Sequence, residues 1–347
     1  MKIFTKTLFA GIAASATLAG AATSASAAMD FAGKTIKIVI PYGPGGTYDK
    51  YGVVFSNNLG KHIPGNPNII LQHMPGAGGA KAMNWVYNVA PKDGLTMIVP
   101  LDNGVMNQLM RPEKMRYDSR KFSYLGSSNQ TNIVMVVRSD TGITKLDDMK
   151  TREVIGSTSG TSSTGFIIPS LIKGLFGYKI KMVTGYKGSS KSIFAIEQRE
   201  ADMAAYNWLA WSSKVPQWFE GEKPFAKPIA QLGVFRDPDL PESVPMVNDM
   251  VTDPMDKKAV EFISVLGLMG RGLALPPGVD ADTVKVLRAA YSKMNADPAF
   301  AEELKKRKLR LIPSDGETIQ KRVNEAVENA SPDVVKHARK LIFGGAS

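Results

Sequence analysis

Two glycine-rich turns each separate an apolar run from a helix-like run: Pro41-Tyr42-Gly43-Pro44-Gly45-Gly46-Thr47-Tyr48-Asp49 and Pro75-Gly76-Ala77-Gly78-Gly79. A chain that alternates strand, glycine turn and helix has to lay its helices over a sheet, so the turns dictate an α/β fold. They also bring free helix-start N–H groups to one sheet edge, an arrangement that receives anions.

The same grammar runs on. Residues 35–41, 68–72 and 95–100 read as strands, each followed by a helix: 48–59, 80–89 and 103–110. The pattern restarts with strands at 132–138, 153–157, 179–183 and 202–206, and helices at 166–176 and up to 197. A strand at 228–235, a proline-rich connector at 237–245 and an extended stretch at 262–275 follow. Helices at 280–295, 299–306, 317–328 and 333–342 complete the chain. The expectation is parallel sheets covered on both faces, in two α/β lobes with a ligand cleft between them. The turns at 43–49, 75–79, 156–165 and 185–190 all lie at strand ends, where open α/β sheets bind ligands.

Residues 1–27 read as a secretory signal. Lys2 and Lys6 precede an apolar run from Leu8 to Ala22, and Ala25-Ser26-Ala27 fits a cleavage site before Ala28. The run is interrupted and short of the ~20 apolar residues that span a bilayer. Without it, roughly 320 residues remain, enough for two domains. We expect a first lobe over 28–128, a second over 129–246, and a return to the first over 247–347. There is no cysteine, so disulfides and thiol chemistry are excluded. The formal charge of +11 favours the arrival of anions. Nucleic acid is not an expected partner of an exported chain, and Lys305-Lys306-Arg307-Lys308 reads as a solvated helix face.

The 43–49 turn is no dinucleotide fingerprint, since Tyr48 stands where a third glycine belongs, and no Gly-Lys-Ser/Thr follows. It is either a plain turn or an anion cradle, and the repetition at 76–79 favours the cradle. Asp49 suits the positive end of a helix, with ligand contact as the alternative. Gly156 to Gly165 is dense in hydroxyls that can wrap a carboxylate. A nucleophile elbow would centre on Thr158, with His337 as its downstream histidine. His62 and His73 lack metal-ligand spacing. Trp208 and Trp211 either pack or wall the cleft, and Lys187 either charges the cleft or is solvated.

Gly43 to Asp49, with Pro41 and Tyr42, resembles the P-[FY]-x-P-G-G-x-x-D signature of the tripartite tricarboxylate transporter solute receptors, or Bug family. Met74 to Gly79 is similar to that family's N-x-P-G-A-G-G turn. Ser157 to Ser162, Gly185 to Gly188, Asp237 to Pro245 and Leu273 to Pro277 resemble further segments in the same order. The resemblance implies a periplasmic type-2 binding protein with two lobes; with no cysteine and only three histidines, we expect no enzyme, no cofactor and no metal, and a monomer. It would capture a small carboxylate and deliver it to the permease subunits of a membrane transporter. Tyr42 to Thr47 and the region after Leu101 would hold one carboxylate, and residues matching Ser157 to Ser162 and Tyr186 to Gly188 would close over it.

Turns and resemblance together nominate Tyr42, Gly43, Gly45, Gly46, Thr47, Asp49, Gly78, Asp102 and Asn103 on the first lobe. On the second they nominate Ser157, Ser159, Thr161, Ser162, Tyr186, Lys187, Gly188, Asn207 and Trp208. Gln72-His73-Met74 departs from the family's E-N-R, and Thr184-Gly185 stands where the family has proline before the tyrosine. The carboxylate therefore stays open among dicarboxylates, tricarboxylates, aromatic acids and amino acids. An exported hydrolase or lyase on the same scaffold, or a receptor feeding a membrane sensor, are the alternatives.

Overall fold

A computed structural model describes residues 30–344; the expected signal segment lies outside the described residues. The chain opens with β1 (Thr35–Ile40), α1 (Thr47–Asn58), β2 (Asn68–His73), α2 (Ala80–Asn88), β3 (Thr96–Ile98), α3 (Gly104–Met110) and β4 (Ser123–Ser127). It continues with β5 (Ile133–Arg138), β6 (Val154–Ser157), α4 (Thr164–Phe176), β7 (Ile180–Val183), α5 (Ser189–Glu197), β8 (Met203–Asn207), α6 (Trp208–Ser212) and β9 (Ala226–Leu232). It closes with α7 (Val247–Met250), α8 (Pro254–Ser264), β10 (Gly272–Leu275), α9 (Ala281–Asn295), α10 (Pro298–Lys306), β11 (Ser314–Asp315), α11 (Gly316–Glu328) and α12 (Pro332–Phe343).

One sheet has the order β11-β4-β10-β3-β1-β2, the other β7-β6-β8-β5-β9. β1 pairs in parallel with β2 and β3, as the strand–helix alternation requires. The expectation of all-parallel sheets fails at the crossings. The chain leaves the first sheet along β4 and returns along its neighbour β10, so that pair is antiparallel. It likewise enters the second sheet along β5 and leaves along the adjacent antiparallel β9. The crossing strands lie side by side: Ser128 N donates to Arg271 O at 2.8 Å, and Arg271 N donates to Asn129 Oδ1 at 2.6 Å.

The stretch at 262–275 is not extended throughout. α8 runs through Ser264 because Asp253 Oδ1 caps the N–H groups of Met255 and Asp256, and Ala259, Val260 and Ile263 form its buried stripe. Only Gly272–Leu275 is strand. Lys305 to Lys308 are exposed, as expected of a solvated face. α12 lies across both lobes, packing on α8, α3 and α4, with Phe343 stacked on Phe166 at 6.2 Å. Among the described residues, no helix is long and apolar enough to cross a membrane.

Candidate functional site

The first glycine turn is braced from within its own lobe. Asp49, one turn into α1, accepts from Gly45 N through Oδ2 at 2.7 Å and meets His73 Nε2 through Oδ1 at 2.6 Å. Tyr42 Oη donates to Gly78 O at 2.9 Å and ties the two glycine turns together. From the opposite lobe, Lys187 O accepts from Gly43 N at 2.7 Å. A Cβ at Gly46 would stand 2.8 Å from Ser189 Oγ, and one at Gly78 would stand 2.6 Å from Ser163 N. At Gly78, where the neighbour is backbone and φ is +66, the close approach of the lobes requires glycine; at Gly46 a Cβ would displace only the Ser189 hydroxyl.

Between these contacts the lobes enclose a small, narrow cavity. α1, α4 and α5 open on it, through Gly46 and Thr47, Ser163 and Thr164, and Ser189. None of these three helix starts has a side-chain cap. Ser163 is placed to cap α4, but its hydroxyl is engaged with Gly160 O at 2.8 Å and Thr158 Oγ1 at 2.7 Å. By contrast, α8, α9, α10 and α11 each start under an aspartate cap. Uncapped N–H groups and the positive dipole end therefore face the cavity from both lobes.

A cation completes the wall. Arg271 is buried, its side chain 3% exposed, and lines the cavity beside β10. Its Nη1 donates to Asp102 Oδ2 at 2.9 Å and to Gly270 O at 3.0 Å, and Nη2 to Thr47 Oγ1 at 3.3 Å. The guanidinium carbon sits 3.7 Å from the Tyr48 ring centroid. Burial opposes the arginine's charge, but Tyr48 and Asp102 outweigh it and its pKa is raised. Thr47 Oγ1 also accepts from Asn207 Nδ2 of the second lobe at 3.1 Å. Burial pushes Tyr206 up to about 12, so that phenol, which donates to Ser192 Oγ at 2.6 Å, is neutral at physiological pH.

A family model described as the tripartite tricarboxylate transporter family receptor matches residues 54–338. The chain belongs to this receptor family. Its fold is that of the two-lobe periplasmic binding proteins. BugD superposes with a TM-score of 0.70 at 15% identity, over 88% of this chain and 97% of BugD. MatC from Rhodopseudomonas palustris, solved with bound malate, gives 0.69 at 20% identity, over 87% and 98%. A UPF0065 protein of Bordetella pertussis is 22% identical over 82% of this chain and 83% of its own length.

Of the nominated residues, the receptor brings Tyr42, Gly46, Thr47 and Asn207 to the cavity wall. The others have different work. Gly43, Gly45, Gly78 and Gly188 shape the approach of the lobes instead of lining the cavity. Asp49 is turned to Gly45 and His73. Asp102 stands behind Arg271 as its counter-ion. Asn103, with Asn107, donates to Ser162 O at 2.8 and 2.7 Å, so Ser162 is a lobe contact. Thr161 is exposed and accepts from Arg111 Nη1 at 2.7 Å.

Ser157 Oγ is spent on Ser192 O at 3.1 Å, and Ser159 does not reach the cavity. Tyr186 faces Glu200 at 3.4 Å, Lys187 is solvated, and Trp208 packs on Phe219 with ring centroids 5.1 Å apart. Sequence reasoning missed Tyr48, Ser163, Thr164, Ser189, Tyr206 and Arg271. Gly270-Arg271-Gly272, a charge between glycines at the mouth of an apolar strand, was the signal for the last of these.

Proposed function

We propose that the receptor captures a small carboxylate in this cleft and presents it, from the periplasm, to the membrane subunits of a tripartite tricarboxylate-type transporter. One observation carries the reading: three uncapped helix starts, from both lobes, converge with a buried arginine on one cavity. Neighbours of the same fold were solved with malate and with adipate, each 20% identical to this chain, which supports a carboxylate here. The segments 28–128 and 247–347 would form the first lobe and 129–246 the second, with residues 1–27 removed on export and the receptor acting as a monomer.

Catalysis has little support. Thr158 Oγ1 bonds Ser163 Oγ, and His337 of α12, the histidine a nucleophile would need, pairs with Asp256 of α8 at 2.6 Å. A thermal-shift screen of carboxylates, sugars and cations at neutral pH tests the function. A carboxylate at 100 times its Kd should stabilise the protein by ~2.7 kcal/mol. Shifts with sugars or cations alone would overturn the reading.

A further inference from the structure

We infer that Arg271 takes a ligand carboxylate directly, side-on, through Nε and Nη2, and so makes the return segment the receptor's anion selector. This rests on the cleft being a carboxylate site. The guanidinium is a planar fork of five N–H donors. Its Nη1 end is occupied by Asp102 Oδ2 and Gly270 O. The other edge is different: Nη2 makes one long contact, 3.3 Å to Thr47 Oγ1, and Nε is buried with no acceptor. A buried donor without a partner is costly, so an edge left in this state beside a cavity invites an acceptor. Nε–H and one Nη2–H point the same way from that edge, at the spacing of two carboxylate oxygens.

The surroundings hold the fork in place. Tyr48 covers one face of the guanidinium, which favours approach in its plane. Tyr48 Oη in turn accepts from Asp102 N at 3.1 Å, so the stacking ring and the counter-ion position each other. Thr47 Oγ1 accepts from Arg271 and Asn207, which leaves its own proton to donate. Asp102 neutralises the arginine formally. The added negative charge is then met by the uncapped starts of α1, α4 and α5.

Calorimetric titration of the mature protein with malate, succinate, adipate and benzoate tests this. Arg271→Lys keeps the charge but not the fork, and should weaken the tightest of these acids by about tenfold. Arg271→Gln combined with Asp102→Asn removes the pair without stranding a charge, and should weaken it by about a hundredfold. A crystal structure of the complex should place carboxylate oxygens within about 3.2 Å of Nε and Nη2. Unchanged affinity in Arg271→Lys, or a complex with water on Nε and every ligand oxygen elsewhere, would overturn the role of Arg271 and leave the carboxylate reading standing. If the double variant fails to fold by circular dichroism, Arg271→Lys and the complex decide. Wild-type protein that binds none of the four acids, nor citrate nor glutamate added to the panel, would overturn both.

Discussion

On the first lobe the cleft wall carries a buried guanidinium, paired with Asp102 and covered by Tyr48; on the second it carries Ser163, Thr164, Ser189 and Tyr206, neutral groups around two helix starts. The difference is one of rigidity. A buried charge survives only under fixed hydrogen bonds, and the first lobe supplies them from Gly270 ahead of β10, from Thr47 at the start of α1 and from Asp102 in the turn after β3. On the second lobe Ser163 and Tyr206 are held by their own hydrogen bonds, while the hydroxyls of Thr164 and Ser189 can rotate to suit what they meet. The first lobe thus offers the cleft a fixed charge, and the second offers it neutral hydroxyls.

The strongest way to separate the lobes is alkali. Burial raises Tyr42, Tyr48, Tyr51, Tyr117, Tyr124 and Tyr291 on the first lobe, against Tyr178, Tyr186 and Tyr206 on the second. Below pH about 10 these phenols are protonated in both folded and unfolded chains and stability is indifferent to them. Above it the unfolded chain ionises first, so each phenol costs up to about 1.4 kcal/mol per pH unit until its folded pKa is reached. Hydrogen exchange at rising pH should show the first lobe opening before the second, and simultaneous loss would erase the contrast.

Gly46→Asp comes next. Gly46 has extended backbone at φ −84, which aspartate accepts, and a cap there suits α1. The new carboxylate would nevertheless occupy the anion end of α1, against Ser189. Carboxylate binding should fall by more than about a hundredfold with the fold intact by circular dichroism, and affinity retained within tenfold would move the anion site away from α1. Gly78→Val acts on the lobe contact instead. Its φ of +66 and the 2.6 Å gap to Ser163 N should hold the lobes apart, with a larger radius by solution scattering. Binding should weaken by about tenfold, the scale of one strained residue. Asn107→Ala should do least. Ser162 O keeps Asn103, so the loss is about 1 kcal/mol, or roughly fivefold in Kd by titration.

The strand–turn–helix units were legible because their signals are local: TIKIVIP is rich in β-branched apolar residues with Lys37 its one charge, and Gly45, Gly46 and Asp49 mark the start of α1 within a few residues. β4 and β10 were harder. Ser123–Ser127 is short and polar-flanked, and its antiparallel pairing follows from where the chain re-enters the sheet. The hydroxyl loop was legible as an anion-type turn, but not which hydroxyls face inward. That choice depends on distant partners, such as Ser192 O claiming Ser157 and Arg111 claiming Thr161. Arg271 lies 169 positions from Asp102 and 224 from Thr47, so no window along the chain contains the pair.

The bond from Gly43 N to Lys187 O joins main chain to main chain. No change of side chain at position 187 can delete it. Lineages descending from such a receptor can therefore exchange the residue at that rim, and with it the charge offered to passing solutes, while the clasp is inherited unaltered.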